Sequence, residues 1–268
     1  MSCTESNRLA GRSAIVTGGG RGLGRAMTLA LARAGATVIA TAAGTVDEVK
    51  AVADEAGGQD VIAVQADVTR PEDCARVVEI TLARCGRVDL LINNAGRGMK
   101  YVSETFLTEP TQFWRTDPDV WRMVIDTNVN GPFFMARAAV PIMLEAGWGR
   151  IINITMNHET MRRPGFSPYG PSKAALESET VIWAQDLKGT GITVNALLPG
   201  GATLTGMIPQ SVDPALKAKL LDPAIMAPPL LWLASEASDG VTGMRFNASQ
   251  WDARLDEASA AIGCGQEL

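Results

Sequence analysis

Ser13-Ala14-Ile15-Val16-Thr17-Gly18-Gly19-Gly20-Arg21-Gly22-Leu23-Gly24 is the stretch that decides the fold. Its first five residues are apolar and partly β-branched and run straight into glycines, which marks a buried strand ending in a tight turn. From Gly22 the period changes. Leu23, Met27, Ala30, Leu31 and Ala34 share one helical face, and Gly35 closes the helix. Glycines in such a turn let the backbone come close to a phosphate, and the helix start offers unpaired N–H donors to its charge. The spacing Gly18, Gly22, Gly24 is not G-x-G-x-x-G, and a glycine turn alone also reads as a plain tight turn. Its place as the first strand-to-helix turn favours a dinucleotide.

Outward from this unit the pattern repeats. Strands are expected at 37–41, 61–66 and 89–92, with helices at 22–34, 46–55 and 71–84, the last opened by Pro71. Strict alternation calls for right-handed crossovers and a parallel sheet covered on both faces. Beyond an irregular loop, 119–144 reads as a long helix, 150–155 as a strand, 169–187 as a helix and 191–197 as a strand. From Pro199 the chain is richer in Pro, Gly and Met, and its order is harder to read. No linker or repeat interrupts it, so one domain over 1–268 is expected.

The chain is 268 residues long and 46% hydrophobic, enough for a full α/β core. A net charge of −5 argues against nucleic acid as the main partner. The first residues lack a secretory apolar region, and no run approaches a membrane span. A soluble, cytoplasmic protein is expected. Cys3, Cys74, Cys85 and Cys264 are scattered, and with one histidine, His158, they do not assemble a zinc site; reduced thiols are the simplest reading.

The second strand informs the choice of nucleotide. A site for NAD usually ends this strand in an acidic residue for the ribose 2′-OH. Here Ala42 and Ala43 follow, with no carboxylate before Asp47. A 2′-phosphate would meet no repulsion, and Arg21 could pair with it. NADPH is favoured over NADH, which stays open because Arg21 also reads as a solvated loop arginine.

Tyr169 and Lys173 stand four apart on an expected helix, so the ammonium can lie under the phenol and favour its ionised form. Alone the pair is a common coincidence. Taken in order, however, Thr17-Gly-x-x-x-Gly-x-Gly24, Asn93-Asn94-Ala95-Gly96, Asn128, Tyr169-x-x-x-Lys173 and Pro199-Gly200 resemble the short-chain dehydrogenase/reductase family over essentially the whole chain. The resemblance implies a doubly wound, Rossmann-type parallel sheet of about seven strands, hydride transfer at a nicotinamide C4, and a homotetramer or homodimer.

It also implies roles. Thr17 steadies the turn, and Gly18, Arg21, Gly22, Leu23 and Gly24 form the phosphate cradle. Asp67 and Val68 flank the adenine, and Asn94, Ala95 and Gly96 border the cofactor. Tyr169 is the catalytic acid. Lys173 lowers its pKa and holds the nicotinamide ribose. Asn128 bends its helix around a relay water. Pro199-Gly200 lead past the carboxamide, with Thr203 or Thr205 on phosphate or amide; the family's Thr falls where this chain has Leu204.

One member of the site departs from the pattern. The family places a Ser, sometimes Thr, thirteen residues before the tyrosine, where this chain has Met156. A thioether cannot donate a hydrogen bond. Three explanations stand: Thr155 or Asn157 supplies the donor through a local shift, the donor is absent, or the substrate is an imine that needs less help from an acid and suits a soft side chain. His158, two residues on, reads as a surface loop residue more readily than as an assisting base.

The loop 97–118 carries Met99, Tyr101, Phe106, Leu107, Phe113 and Trp114, and 203–221 falls where the family places a substrate lid. Both point to an apolar substrate of medium size. The expected function is NADPH-dependent hydride transfer to a C=O or C=N bond of an apolar small molecule. The alternatives are an NAD-dependent alcohol dehydrogenase and a weakly catalytic NADP(H)-binding protein.

Overall fold

Residues 7–57, 60–209 and 212–268 are described by the computed structural model. Its centre is one sheet whose order is β3-β2-β1-β4-β5-β6-β7-β8. The strands are β1 (Ser13–Val16), β2 (Thr37–Ala42), β3 (Val61–Gln65), β4 (Leu90–Asn93), β5 (Gly149–Ile154), β6 (Ile192–Leu198), β7 (Met244–Asn247) and β8 (Gly265–Glu267). The first seven run parallel, and β8 lies antiparallel on β7, with Arg245 opposite Gln266. This eighth strand is not in the expected count. Gly-Gln-Glu carries no apolar or β-branched signal, and it is a strand because it covers the edge that β7 would otherwise expose.

Helices cover both faces: α1 (Gly22–Arg33), α2 (Asp47–Glu55), α3 (Pro71–Cys85), α4 (Pro118–Ile125), α5 (Gly131–Ala146), α6 (His158–Met161), α7 (Tyr169–Asp186), α8 (Pro214–Lys217), α9 (Ala227–Leu233) and α10 (Glu257–Cys264). The long helix expected over 119–144 is two helices joined through a π turn, Asp126–Asn130. Strand residues alternate between two cores. Ala14, Val16, Ile152, Ile154 and Leu197 pack with Met27, Leu31 and Trp232 on one face. Ile15, Leu91, Ile151 and Val194 pack with Val77, Met135 and Met143 on the other. Both faces are buried, so the strands read as apolar runs rather than alternating ones.

The chain winds from β1 outward to β3, then crosses to the other side of β1 to lay down β4. The turns after β1 and β4 therefore diverge and leave a crevice at the carboxyl ends of the strands, the usual ligand position in such sheets. The turns after β5 and β6 open on the same end.

Candidate active site

The glycine turn and the turn after β4 are locked to each other. Thr17 Oγ1 accepts from the N–H groups of Asn94 and Ala95, both at 3.0 Å, and Asn94 Nδ2 donates to Thr17 O at 2.8 Å and Gly18 O at 3.1 Å. Thr17 is buried, so it braces the turn from behind and does not line the cleft. Gly18 (φ 64°) and Gly22 (φ 53°) take the left-handed backbone that the turn needs. At Gly24 the demand is space: a Cβ there would stand 2.0 Å from Gly18 O. The cap residue of α1, Arg21, makes no side-chain capping bond, and no acid lies in the first turn. The cradle fits a phosphate, since its N–H donors are uncapped and carry the positive end of the helix dipole.

Arg21 is 66% exposed, with Nη1 3.6 Å from Glu48 Oε1 in the first turn of α2. It is thus a shared cation. Glu48 is the carboxylate that the sequence reading left out, because it lies beyond β2 and meets Arg21 only through the packing of α2 on α1. A cleft of about 300 Å³ opens here, lined by Gly20, Arg21, Gly22, Arg25, Glu48 and Glu55 among others. Asp67 is committed locally, its Oδ1 accepting from Thr69 N and Oγ1, and Val68 is buried against Gly131.

Tyr169 opens α7 and Lys173 follows one turn later, buried, with Nζ 6.0 Å from the phenol ring centre. Nζ donates to Ile154 O at 2.8 Å. Burial pulls the Lys173 ammonium down to about 8, with Glu177 opposing. Burial also pushes the Tyr169 phenol up to about 12. Burial sets this direction, opposite to the lowering expected of the ammonium, which stands 6.0 Å from the ring centre and spends a hydrogen on β5.

Asn128 sits within the π turn, fully buried. Its Oδ1 accepts from Arg97 N at 2.8 Å, and its Nδ2 donates to Arg97 O and to Ser172 Oγ, both at 2.9 Å. Ser172 Oγ in turn donates to Tyr169 O at 2.7 Å. Asn128 thus clamps the turn after β4 to the start of α7. A Cβ on Gly96 would stand 3.3 Å from Asn128 Oδ1, a tight approach, and 3.7 Å from Lys173 Nζ, an ordinary contact. A π turn in a helix often accompanies a functional site.

At residue 156 the side chain is a half-buried Met. Of its two neighbours, one is engaged and the other is buried. Asn157 caps α6, its Oδ1 accepting from Thr160 N at 2.7 Å, and its Nδ2 reaches Gly200 O at 3.4 Å. Thr155 is 3% exposed, and its Oγ1 is buried without a partner. It follows Asn153 by two residues, and Asn153 Nδ2 donates into α7 at Thr180 Oγ1, so Thr155 lies on the helix-covered face.

His158 is held, not free. Its Nε2 donates to Glu177 Oε2 at 2.8 Å, Glu177 Oε1 accepts from Arg245 Nε at 2.9 Å, and Arg245 Nη2 donates to Met156 O at 2.6 Å. Glu177 and Arg245 were missed from sequence. A signal existed for Glu177, which lies four residues after Lys173 on the same helical face; Arg245 sits in a strand whose partner could not be foreseen.

Over the cleft, 203–221 is tied at its base by Leu204 N to Leu221 O, 3.0 Å, and Leu221 N to Ala202 O, 2.9 Å. Gln210 and Ser211, within this expected lid, lie outside the described residues. Thr205 packs on Gly22 and Met207 on Gly98. Thr203 is buried with its hydroxyl on Gly201 O, so Thr205 is the threonine beside the cradle. Pro199 and Gly200 leave β6 against Asn247 and Ser249.

Comparison with known proteins agrees with this layout. The family model described as short chain dehydrogenase matches residues 12–214. A 3-oxoacyl-[acyl-carrier-protein] reductase of Synechocystis sp. is 34% identical over 89% of this chain and 96% of that protein. An acetoacetyl-CoA reductase of Shinella zoogloeoides is 33% identical over 89% and 97%. A candidate NAD(P)-dependent gluconate 5-dehydrogenase of Beutenbergia cavernae, crystallised with NADP bound at low occupancy, superposes with TM-score 0.77 at 33% identity over 90% and 96%. The chain belongs to the short-chain dehydrogenase family and is an NAD(P)-dependent oxidoreductase.

Proposed function

We propose that the protein catalyses NADPH-dependent hydride transfer to a C=O or C=N bond of an apolar small molecule, with Tyr169 as the proton donor. The observation that carries this is the Tyr169–Lys173 pair, held by Asn128 and Ser172 at the crevice where the glycine cradle opens. A bound nicotinamide dinucleotide supplies the hydride from its C4. The uncapped N–H groups of α1, with Thr205 beside Gly22, hold its pyrophosphate. Asn94 to Gly96 and Pro199-Gly200 line its path, Val68 and Asp67 border the adenine, and Lys173 reaches the ribose. Tyr169 O–H donates to the substrate heteroatom, and the ammonium of Lys173 favours the phenolate left behind.

Arg21 and the absence of a carboxylate at Ala42 and Ala43 support NADPH; a relative crystallised with NADP agrees. Ratios of kcat/KM for the two cofactors test this, and parity or an NADH preference overturns it. The relatives reduce 3-oxoacyl groups by name, which supports a carbonyl attached to an apolar chain. Exposed Tyr101, Phe113, Trp114 and Leu204 add apolar surface from the loop and the lid.

Met156 favours the C=N reading. With Asn157 capping α6 and Thr155 buried on the face that packs on α7, Tyr169 is the donor at the cleft, and an iminium accepts hydride with less assistance than a ketone. Met156→Ser should raise kcat for ketones by about 10²–10³, the usual worth of one such donor; an unchanged kcat overturns the assignment.

Phe133 and Leu144 on α5 and Ile182 on α7 are exposed, which supports pairing with further copies of the chain. A monomer in sedimentation would overturn that reading.

A further inference from the structure

Two buried charges behind the site have no part in the chemistry above. Glu177 and Arg245 are each nearly inaccessible, on α7 and β7. Burying an ion pair gains little over an apolar pair of the same volume, so its presence points to a use beyond stability. The contacts narrow that use. Apart from each other, Glu177 touches His158 and Arg245 touches the Met156 carbonyl. Both outward bonds end on the loop after β5, at alternate residues. Glu177 also lies one helical turn beyond Lys173, and its carboxylate favours the ammonium that burial disfavours.

We propose that Glu177 is a positioning residue for hydride transfer: through Arg245 and His158 it fixes the loop that presents Met156, and through its charge it keeps Lys173 protonated behind Tyr169. This rests on the Tyr169–Lys173 reading. Around Lys173, β5 presents the Ile154 carbonyl and the turn after β4 presents Gly96, neither of them charged. The Arg97 guanidinium lies over Tyr101, 4.7 Å from its ring centre. The charged or titratable groups of the cluster are therefore Tyr169 and Glu177 on α7, Arg245 on β7 and His158 on α6.

The test combines NMR and kinetics. In protein with 13Cε-labelled lysine, assigned through Lys173→Arg, the Lys173 midpoint should fall by about 1 pH unit in Glu177→Gln, the lower end of the effect of an adjacent opposite charge, because Arg245 already offsets part of it. With acetoacetyl-CoA as probe substrate, kcat should fall about 10-fold to 100-fold, the scale of a misplaced catalytic geometry, while the NADPH KM stays within about threefold, because the phosphate cradle is untouched. The alkaline limb of the rate profile should move to lower pH with the midpoint. Gln at 177 leaves Arg245 buried without its partner, so Glu177→Leu/Arg245→Met is the companion variant: it should fold, bind NADPH and move the midpoint in the same direction.

If Tyr169→Phe or Lys173→Met keeps wild-type turnover, the site reading itself fails. If both abolish turnover while Glu177→Gln binds NADPH with wild-type kcat and an unmoved Lys173 midpoint, the positioning inference alone is overturned. Should the wild type be silent on the probe, the NMR midpoint decides.

Discussion

At the glycine turn, geometry is set by contacts of backbone with backbone and by Thr17 and Asn94. At the loop 155–158 it is set by side chains drawn from two other elements, Glu177 of α7 and Arg245 of β7, the latter 89 residues away in sequence. The two regions face the same cleft. The first is a steric problem with few solutions: a turn that needs left-handed backbone and a helix that approaches Gly18 O leave glycine as the residue that fits. The second is an electrostatic problem, met by the Glu177–Arg245 pair and its bonds to His158 and the Met156 carbonyl.

The largest expected effect separates the two regions outright. Tyr169→Phe should lower kcat by about 10²–10⁴, the worth of a positioned general acid, and leave NADPH affinity intact by fluorescence titration. Loss of binding instead would mean that the cradle and the Tyr169 end are one structural unit.

Gly24→Ala does the converse. The added methyl meets backbone at 2.0 Å, so NADPH binding should weaken together with a fall in unfolding free energy of about 1–3 kcal/mol, the cost of overpacking. Unfolding midpoints in urea with and without NADPH would read both. A variant with wild-type midpoint and affinity would show the turn to be more plastic than its contacts imply.

Next in size is the pH dependence. Lys173 titrates near about 8 because burial disfavours its charge, so its ammonium dominates below that pH and is lost above it. The rate should be flat on the acid side and fall about tenfold per unit beyond about 8, as a single essential proton requires. A flat profile up to pH ~10, where a free lysine titrates, would remove Lys173 from the chemistry.

The smallest effect is at Arg21. Glu48→Gln frees the guanidinium for a 2′-phosphate, and an exposed pair is worth at most about 1 kcal/mol. NADPH KM should fall up to about fivefold, with NADH unchanged. An equal change for both cofactors would place Arg21 on the shared pyrophosphate.

What could be read from the sequence follows the same division. The alternating strands, the glycine turn, Asn94, Tyr169 and Lys173 are local patterns whose period or steric demand is visible in one dimension. The π turn at Asn128 falls inside an otherwise continuous helical pattern. β8 is a strand through its neighbour rather than its residues. Glu48, Glu177 and Arg245 matter through partners that only folding brings near, and the direction of the Tyr169 shift depends on burial that spacing does not report.

Arg245 also has a temporal consequence. It lies between β6 and β8, and the loop after β5 is fastened to it. During synthesis the first six strands are made before residues 244–267, but α1, which opens at the cradle, packs on Trp232, Leu233 and Phe246 and gains its core only with them. The loop at 156 acquires its anchor when the seventh and eighth strands dock. Cradle and loop are therefore both completed by the last part of the chain, which folds with the rest as one unit.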